Sequence, residues 1–186
     1  MIGGLENYVY NLAKVQADKG FEVSVVTLNQ NYLTGERLLP SEQLESGVEV
    51  WRIPYYFSKK YPVAPAVYRH LKRHDHIIVH GVDFFADYIA LTRIFHRKKI
   101  HLVTHGGFFH TKWGGFLKRI FFHTVTRMTV RNYHSIIGCS ENDVKVFRKI
   151  TPRIQLVHNG VNTRPYLETE KHPVKNRIVY VGRVDT

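Results

Sequence analysis

Short strands rich in β-branched residues alternate with amphipathic helices along most of the chain, and this alternation constrains the fold more than any other feature. Such apolar runs are typical of strands buried on both faces of a parallel sheet. The predicted strands span residues 22–28, 48–53, 76–80, 100–104, 135–138 and 154–157. The predicted helices span residues 5–19, 65–73, 83–95, 116–132 and 141–149. This order predicts an α/β fold with a doubly wound parallel sheet.

The two ends of the chain depart from the alternation. Gly3 and Gly4 lead directly into the first helix, whereas a glycine turn of this kind normally follows a strand. We therefore expect residues 1–162 to form one domain whose first strand is absent. Residues 163–176 are polar and contain proline, which predicts a linker. Residues 177–186 start with a new apolar run and are expected to be the first strand of a second domain, most of which is absent.

Charge narrows the choice of partners. The chain has 27 lysines and arginines against 15 acidic residues, a formal net charge of +12. Such an excess implies an anionic partner, which can be nucleic acid, an acidic membrane surface or a phosphorylated ligand. The single cysteine, Cys139, excludes a disulfide within the chain and favours a reducing, cytoplasmic setting. No apolar stretch reaches the roughly 20 residues that a membrane-spanning helix needs.

The segment that follows the strand at 100–104 is the most informative for function. In open α/β sheets, ligands bind at the carboxyl ends of the strands. Here the strand runs directly into His105, Gly106 and Gly107. Histidine can hydrogen-bond a sugar hydroxyl and titrates near neutral pH, and glycines let the backbone approach a ligand closely. We predict that these three residues line a binding site, although a core histidine bonded to backbone is the alternative.

Polar residues at the same edge of the sheet extend this candidate site. Gly3 and Gly4 sit at a helix start, which favours an anion, although a simple tight turn is the alternative. Asp83 is placed to cap the next helix and can contact a sugar hydroxyl in addition. Ser140 is likewise predicted to be a helix cap. Asn159 belongs to an Asn-Gly turn, which would line the crevice of a two-domain enzyme.

The segment from residue 112 to 133 is both basic and aromatic. A cation-flanked apolar face is the pattern of a helix that lies on an anionic membrane, whereas a solvated basic face on a packed helix is the alternative. The residues predicted to face the membrane are Lys112, Trp113, Lys118, Arg119 and Phe122. The residues predicted to form the core face of the helix are Leu117, Phe121, Val125 and Met128.

The histidines do not suggest a metal site. His70, His74 and His76 cluster in the sequence, but their spacing and flanking cations do not match a ligand set. The sequence also contains no Walker A, GxSxG, HExxH or CxxC pattern. We therefore expect no bound metal and no cofactor.

Four short motifs occur in an order that resembles glycosyltransferase family 4. They are Gly-Gly-Leu-Glu at 3–6, Ser-Glu-Asn-Asp at 140–143, His-Asn-Gly-Val at 158–161 and Val-Gly-Arg at 181–183. The resemblance implies a retaining enzyme of the two-domain GT-B type. The chain would then be the Rossmann-like N-terminal, acceptor-side domain, followed by a linker and the first strand of the donor-binding domain.

Two longer segments, at 80–85 and 104–111, resemble one subgroup of that family. Its members are α-1,3-mannosyltransferases that act on cellobiosyl-diphosphopolyprenol in bacterial exopolysaccharide biosynthesis. The resemblance implies GDP-mannose as donor, a polyprenyl-diphosphate-linked oligosaccharide as acceptor and no metal requirement. It also implies a peripheral position on the cytoplasmic face of the inner membrane.

The resemblance assigns roles to individual residues. His105 matches the essential histidine of the family, which is thought to lie beside the transferred sugar, and is therefore the catalytic candidate. Ser140 matches the family's serine, and Gly3 and Gly4 match the loop near the donor diphosphate and the acceptor. Arg183 matches an arginine near the donor phosphates. The family's glutamate pair has no counterpart, which implies that the chain is inactive alone.

Three other functions remain open at this point. A GT-B hexosyltransferase that uses a different sugar nucleotide would share the fold, because donor choice lies mostly in the second domain. A basic nucleic-acid-binding module would also explain the charge, but no recognised motif is present and we expect no nucleic-acid partner. A non-catalytic membrane-surface adaptor would bind anionic lipid without binding sugar nucleotides.

Overall fold

The computed structural model describes residues 4–31, 35–38, 41–43, 47–58, 61–106, 115–163 and 167. Its α-helices are α1 (Gly4–Asp18), α2 (Tyr68–Leu71), α3 (Phe84–Leu91), α4 (Arg93–His96), α5 (Gly115–Phe121), α6 (Arg127–Thr129) and α7 (Glu141–Phe147). Its strands are β1 (Ser24–Leu28), β2 (Ser41–Gln43), β3 (Glu49–Ile53), β4 (Tyr56–Ser58), β5 (Tyr61–Val63), β6 (His76–His80), β7 (Lys99–Thr104), β8 (Ser135–Gly138) and β9 (Ile154–Leu156). Short 3₁₀ turns cover Pro65–Val67 and Val130–Asn132, and a π-helical turn covers Phe122–Thr126.

The four strands β6, β7, β8 and β9 form a parallel sheet in that order. Helices connect its strands, so the predicted α/β fold with a parallel sheet is confirmed. One row of paired residues crosses the whole sheet, and all of its side chains are buried. The row consists of Val79, Leu102, Ile136 and Ile154. Burial of this row stabilises the register of all four strands, because a slip of one residue would move these side chains to the opposite face.

The remaining strands form separate hydrogen-bonded units. In one, β1 pairs in parallel with β3, and β2 adds to β3 in the antiparallel direction. In the other, β4 and β5 form an antiparallel pair. Sequence analysis predicted one sheet and missed β2, β4 and β5, because three-residue strands are too short to show a period. The sheet of β1 and the sheet of β6 share one core, in which Leu28 and Ile53 belong to the same apolar cluster as Val79 and Ile100.

The helix predicted over 83–95 is two helices in the structure. Its break falls at Thr92, whose hydroxyl donates to the backbone carbonyls of Tyr88 and Ile89. A side-chain bond of this kind competes with the regular helix ladder and bends the chain. The second helix, α4, is followed by its C-cap Arg97, which adopts the left-handed conformation at φ 55°.

The predicted membrane-facing position of Phe122 is wrong. Its side chain is 1% exposed, and its ring packs edge-to-face on that of Phe147 at a centroid distance of 5.2 Å. The predicted core residue Met128 is instead 54% exposed. The buried stripe of this helical segment comprises Phe122, Thr126, Thr129, Val130 and Tyr133. The predicted buried face of the helix was shifted by one residue. The prediction counted only large apolar side chains as core residues and therefore placed Thr126 and Thr129 on the exposed face.

Helix α7 lies so close to β8 that only glycine fits at position 138. A Cβ built on Gly138 would lie 2.8 Å from Val144 Cγ2 and 3.3 Å from the Val144 backbone nitrogen. We expect Gly138→Ala to lower the free energy of unfolding by about 1–3 kcal/mol through overpacking. Urea unfolding of the chain measures this change. Gly160→Ala is the control, because a Cβ there would meet nothing within 4 Å; equal stability of the two variants would contradict the close packing.

The predicted linker and second-domain strand are not covered by the structure. Residues 164–166 and 168–186 lie outside the described residues. The predicted domain boundaries therefore stay predictions.

Candidate functional site

Three side chains meet where β6, β7 and β8 end. His80 is the last residue of β6, His105 follows β7, and Cys139 follows β8. Because the strands are parallel and adjacent, their carboxyl ends lie side by side. His80 Nδ1 is 3.1 Å from His105 Nε2, and His105 Nδ1 is 3.6 Å from Cys139 Sγ. We call these three residues the carboxyl-edge triad. Both ring nitrogens of His105 therefore have a protein partner.

Helix α1 covers the two histidines with an aromatic ring. Tyr8 makes edge-on contacts with the rings of His80 and His105, at centroid distances of 5.8 and 5.2 Å. Gly4, the first residue of α1, lies four residues before Tyr8, which is about one helical turn. The start of α1, which the sequence predicted to be part of the site, is thus about one turn from Tyr8, and Tyr8 contacts the predicted site residue His105.

Burial keeps the triad uncharged. Burial, together with the neighbouring His105, lowers the pKa of His80 to about 4. Burial also lowers the pKa of His105 and raises the pKa of the Cys139 thiol. At neutral pH both imidazoles are therefore neutral and the thiol keeps its proton. A neutral imidazole can both donate and accept a hydrogen bond, so it can pair with a hydroxyl group in either direction.

One buried carboxylate opposes the effect of burial on His105. Asp143 lies in the first turn of α7, and its charge raises the pKa of His105 and also that of Cys139. Ser140 caps the same helix, since its hydroxyl accepts a hydrogen bond of 3.2 Å from the Asp143 backbone nitrogen. The predicted cap is confirmed. Ser140 directly follows Cys139, so the cap holds the turn that carries the thiol.

Asp83 caps α3, as the sequence predicted. Its Oδ1 accepts a hydrogen bond of 2.9 Å from the Phe85 backbone nitrogen. The turn that leads to it needs a glycine, because Gly81 adopts φ 96° while its nitrogen donates to the Val103 carbonyl. Burial raises the pKa of the Asp83 carboxyl to about 6, although backbone hydrogen bonds at the cap act in the opposite direction. Contact between Asp83 and a sugar stays a prediction.

The structure brings several predicted site residues to one edge of the sheet. Gly106 directly follows His105 and adopts φ 70°, and Ser140 directly follows Cys139. Asn159 lies exposed in the segment after β9, at the carboxyl end of that strand. The predicted residues outside the described residues are Gly3, Gly107, Lys112, Trp113 and Arg183. Lys118 and Arg119 lie on α5.

The sequence did not indicate four residues that surround His105 in the candidate site: Tyr8, His80, Cys139 and Asp143. A repeated spacing would have indicated two of them. The strands β6, β7 and β8 continue into the patterns HIIVH, HLVTH and SIIGC, in which the first and fifth residues lie on one face. The first residues of these patterns make a second set of contacts at the opposite edge: His76 Nδ1 is 3.0 Å from His101 Nε2, and His101 Nδ1 is 2.7 Å from Ser135 Oγ. We call this set the amino-edge triad.

A four-stranded parallel sheet with helices between its strands gives the chain a Rossmann-like α/β fold, in which ligands bind at the carboxyl ends of the strands. A family model described as Glycosyltransferase Family 4 matches residues 2–164. The match covers most of the chain, which therefore belongs to glycosyltransferase family 4. The resemblance inferred from the short motifs is confirmed.

Three curated relatives carry the same name, GDP-mannose:cellobiosyl-diphosphopolyprenol alpha-mannosyltransferase. The relative from Xanthomonas campestris is 37% identical over 185 residues, which is 98% of this chain and 49% of the relative. The relative from Komagataeibacter xylinus is 36% identical over 184 residues, which is 98% of this chain and 47% of the relative. A third, from Xanthomonas oryzae pv. oryzae (strain PXO99A), is 36% identical over 185 residues. The chain thus spans about half the length of the curated relatives it matches.

The raised pKa of Asp83 makes a prediction about stability. The pKa of this carboxyl rises from 3.8 to about 6 on folding, so the folded state binds its proton more tightly than the unfolded state does. The free energy of unfolding therefore falls as pH increases through that interval. We expect Asp83→Asn, which keeps a capping oxygen, to raise the free energy of unfolding at pH 7 by about 2 kcal/mol. The gain should shrink toward zero below pH 4.

Urea unfolding of wild type and variant across that pH range measures the difference. Asp75→Asn, which removes an exposed carboxylate from the turn before β6, is the matched control and should change little. A gain for Asp83→Asn that does not depend on pH would contradict the assigned pKa.

Proposed function

We propose that the chain is the acceptor-side half of a retaining mannosyltransferase. The whole protein would transfer mannose from GDP-mannose to the lipid-linked acceptor cellobiosyl-diphosphopolyprenol in exopolysaccharide biosynthesis. The observation that carries this proposal is 36–37% identity to three proteins of that name over 98% of the chain. The neutral histidine pair at the ligand-binding edge of the sheet supports it independently.

His105 is the residue that contacts the transferred sugar in this proposal. Its pKa is lowered by burial, so it meets the sugar as a neutral hydrogen-bonding group and does not attract the donor diphosphate. The start of α1 supplies the complementary interaction, because backbone N–H groups at a helix start favour an anion. Asp143 would stabilise positive charge that develops on His105 as a hydroxyl proton shifts toward it.

The donor would bind between this half and the half of the relatives that the chain does not cover. Closure of the two halves would exclude water and limit hydrolysis of the donor. Among the described residues, no group of three histidine, cysteine or acidic side chains is arranged to hold a metal ion. We propose that cations and backbone groups stabilise the leaving diphosphate.

The role of His105 is tested by its replacement in the whole protein that contains this chain. We expect His105→Ala to lower transfer of radiolabelled mannose from GDP-mannose to cellobiosyl-diphosphopolyprenol by about 100-fold or more. His101→Ala is the matched control, because it removes the same side chain from the same face of the same strand at the opposite edge. It should leave transfer nearly unchanged.

Two results would require different revisions. Near-normal transfer by His105→Ala would remove His105 from the reaction. Transfer by the wild-type protein from another sugar nucleotide, and none from GDP-mannose, would keep the family and discard the mannose donor.

We also propose that α5 lies on the anionic cytoplasmic face of the inner membrane. Phe116 is 79% exposed and Ile120 is 45% exposed, one turn apart, and the exposed Arg119 lies between them. These two apolar residues replace the buried Phe122 of the original prediction. Helix α5 is the first part of the helical segment that leads from the carboxyl end of β7 back to the start of β8. It therefore lies toward the carboxyl edge, where the acceptor would bind. Among the described residues, no helix has both the length and the apolar character needed to cross a bilayer.

Binding to vesicles tests this surface. Phe116→Ser should weaken sedimentation with vesicles that contain phosphatidylglycerol by about tenfold, because an inserted phenylalanine contributes roughly 1.5–3 kcal/mol. Phe95→Ser is the matched control, since Phe95 is 71% exposed but lies on α4, just before the start of β7 at the opposite edge. Equal loss in both variants would show that contact is unspecific, and no loss in either would remove α5 from the membrane.

A further inference from the structure

The same contacts occur twice along β6, β7 and β8, four residues apart. In each triad, Nδ1 of the β6 histidine faces Nε2 of the β7 histidine, and Nδ1 of the latter faces a side chain at β8. The register of the three parallel strands therefore builds the histidine pair. The pair's geometry alone does not indicate a function, because it recurs at the amino edge, where His76 is exposed.

The surroundings distinguish the carboxyl-edge triad from its copy. Its pair is half-buried, and three neighbouring parts of the described structure each supply a group near His105. Tyr8 comes from α1, His80 from β6, and Cys139 with Asp143 from the turn and helix after β8. In the amino-edge triad, the partner of His101 Nδ1 is a hydroxyl at 2.7 Å, whereas in the carboxyl-edge triad it is a thiol at 3.6 Å.

The two partners of His105 differ in strength. The contact of His105 Nε2 with His80 joins two nitrogens at 3.1 Å, within the normal range for a hydrogen bond. The contact of His105 Nδ1 with Cys139 is longer, and a thiol is only a weak donor and a weak acceptor. A ligand hydroxyl that reaches His105 therefore displaces the thiol at lower cost than it displaces His80.

The direction of the thiol contact decides the proton positions. Burial raises the pKa of Cys139, so the sulfur carries its proton at neutral pH and can donate to Nδ1 of His105. In that arrangement the single ring proton of neutral His105 lies on Nε2, which donates to Nδ1 of His80, and the proton of neutral His80 is on its own Nε2. If the sulfur accepts instead, the ring proton of His105 lies on Nδ1.

We propose that His80 is a positioning residue for His105. It accepts the Nε2–H of His105 and so holds the ring in one tautomer and one orientation, while Cys139 occupies Nδ1 until a sugar hydroxyl replaces it. Nδ1 of His105 is then the atom that accepts a hydrogen bond from the substrate. The identity of that hydroxyl as part of a sugar rests on the proposed glycosyltransferase function, whereas the orientation of His105 by His80 does not.

The tautomer is tested on the chain itself by ¹⁵N NMR of its histidine side chains at neutral pH. We expect His105 to carry its proton on Nε2. His80→Leu should give a mixture of the two tautomers, whereas His80→Asn should retain the Nε2–H form, because the asparagine side-chain oxygen lies near the position of Nδ1 and can accept. A proton on Nδ1 of wild-type His105, or an unchanged tautomer in His80→Leu, would overturn the proposal.

Kinetics of the whole protein distinguish a role of His80 in positioning His105 from a role in folding alone. His80→Leu should lower kcat for mannose transfer by about 10–100-fold, as loss of a histidine's orienting partner does elsewhere, with KM for the sugar nucleotide nearly unchanged. His80→Asn should recover most of the rate. His76→Leu, the matched change in the amino-edge triad, should have no effect on kcat.

The outcomes distinguish this inference from the function on which it rests. If His105→Ala abolishes transfer while His80→Leu transfers normally, the proposed function stands and the positioning role of His80 fails. If the wild-type protein transfers no sugar, the proposed function fails. The ¹⁵N spectra of wild type, His80→Leu and His80→Asn then decide whether His80 orients His105.

Discussion

The parallel register of β6, β7 and β8 is the constraint on which both the core and the candidate site depend. On one face of these strands, the pairing places Val79, Leu102 and Ile136 in a buried row. On the other face it brings the histidines of β6 and β7 within hydrogen-bonding distance of each other. Because successive side chains of a strand alternate between faces, one register serves both purposes. A slip of one residue would bury the histidines among apolar side chains and expose the row.

The two triads place the same set of contacts in different surroundings. Both derive from residues four apart on three neighbouring strands. At the carboxyl edge, α1 covers the pair with Tyr8, and burial lowers the pKa of His80 to about 4. At the amino edge, His76 is exposed and stacks on His101 at an interplanar angle of 15°. Only the carboxyl-edge pair lies where the loops and helix starts of a doubly wound sheet converge on a ligand.

Sequence reasoning succeeded where local chemistry determines the structure. The strands at 76–80 and 135–138 were predicted to the residue, because apolar runs bounded by turns leave little choice. The caps Asp83 and Ser140 were also predicted, since each bonds to a backbone nitrogen two or three residues ahead. Phe122 was misplaced because its burial depends on contact with Phe147, a residue of another helix. The same limit applies to the candidate site, where His105 was predicted from its own loop but its contact partners come from other elements.

The neutrality of the carboxyl-edge triad limits the chemistry that it can perform. The chain carries a formal charge of +12, yet its histidine pair at the ligand-binding edge is uncharged at neutral pH. A charged pair would attract phosphate groups, whereas a neutral pair is suited to hydroxyl groups. In the proposed transferase, this division would assign the anionic part of the donor to cations and helix starts, and the sugar to His105. Burial would then contribute to specificity, because it would keep His105 from binding the phosphates in place of the sugar.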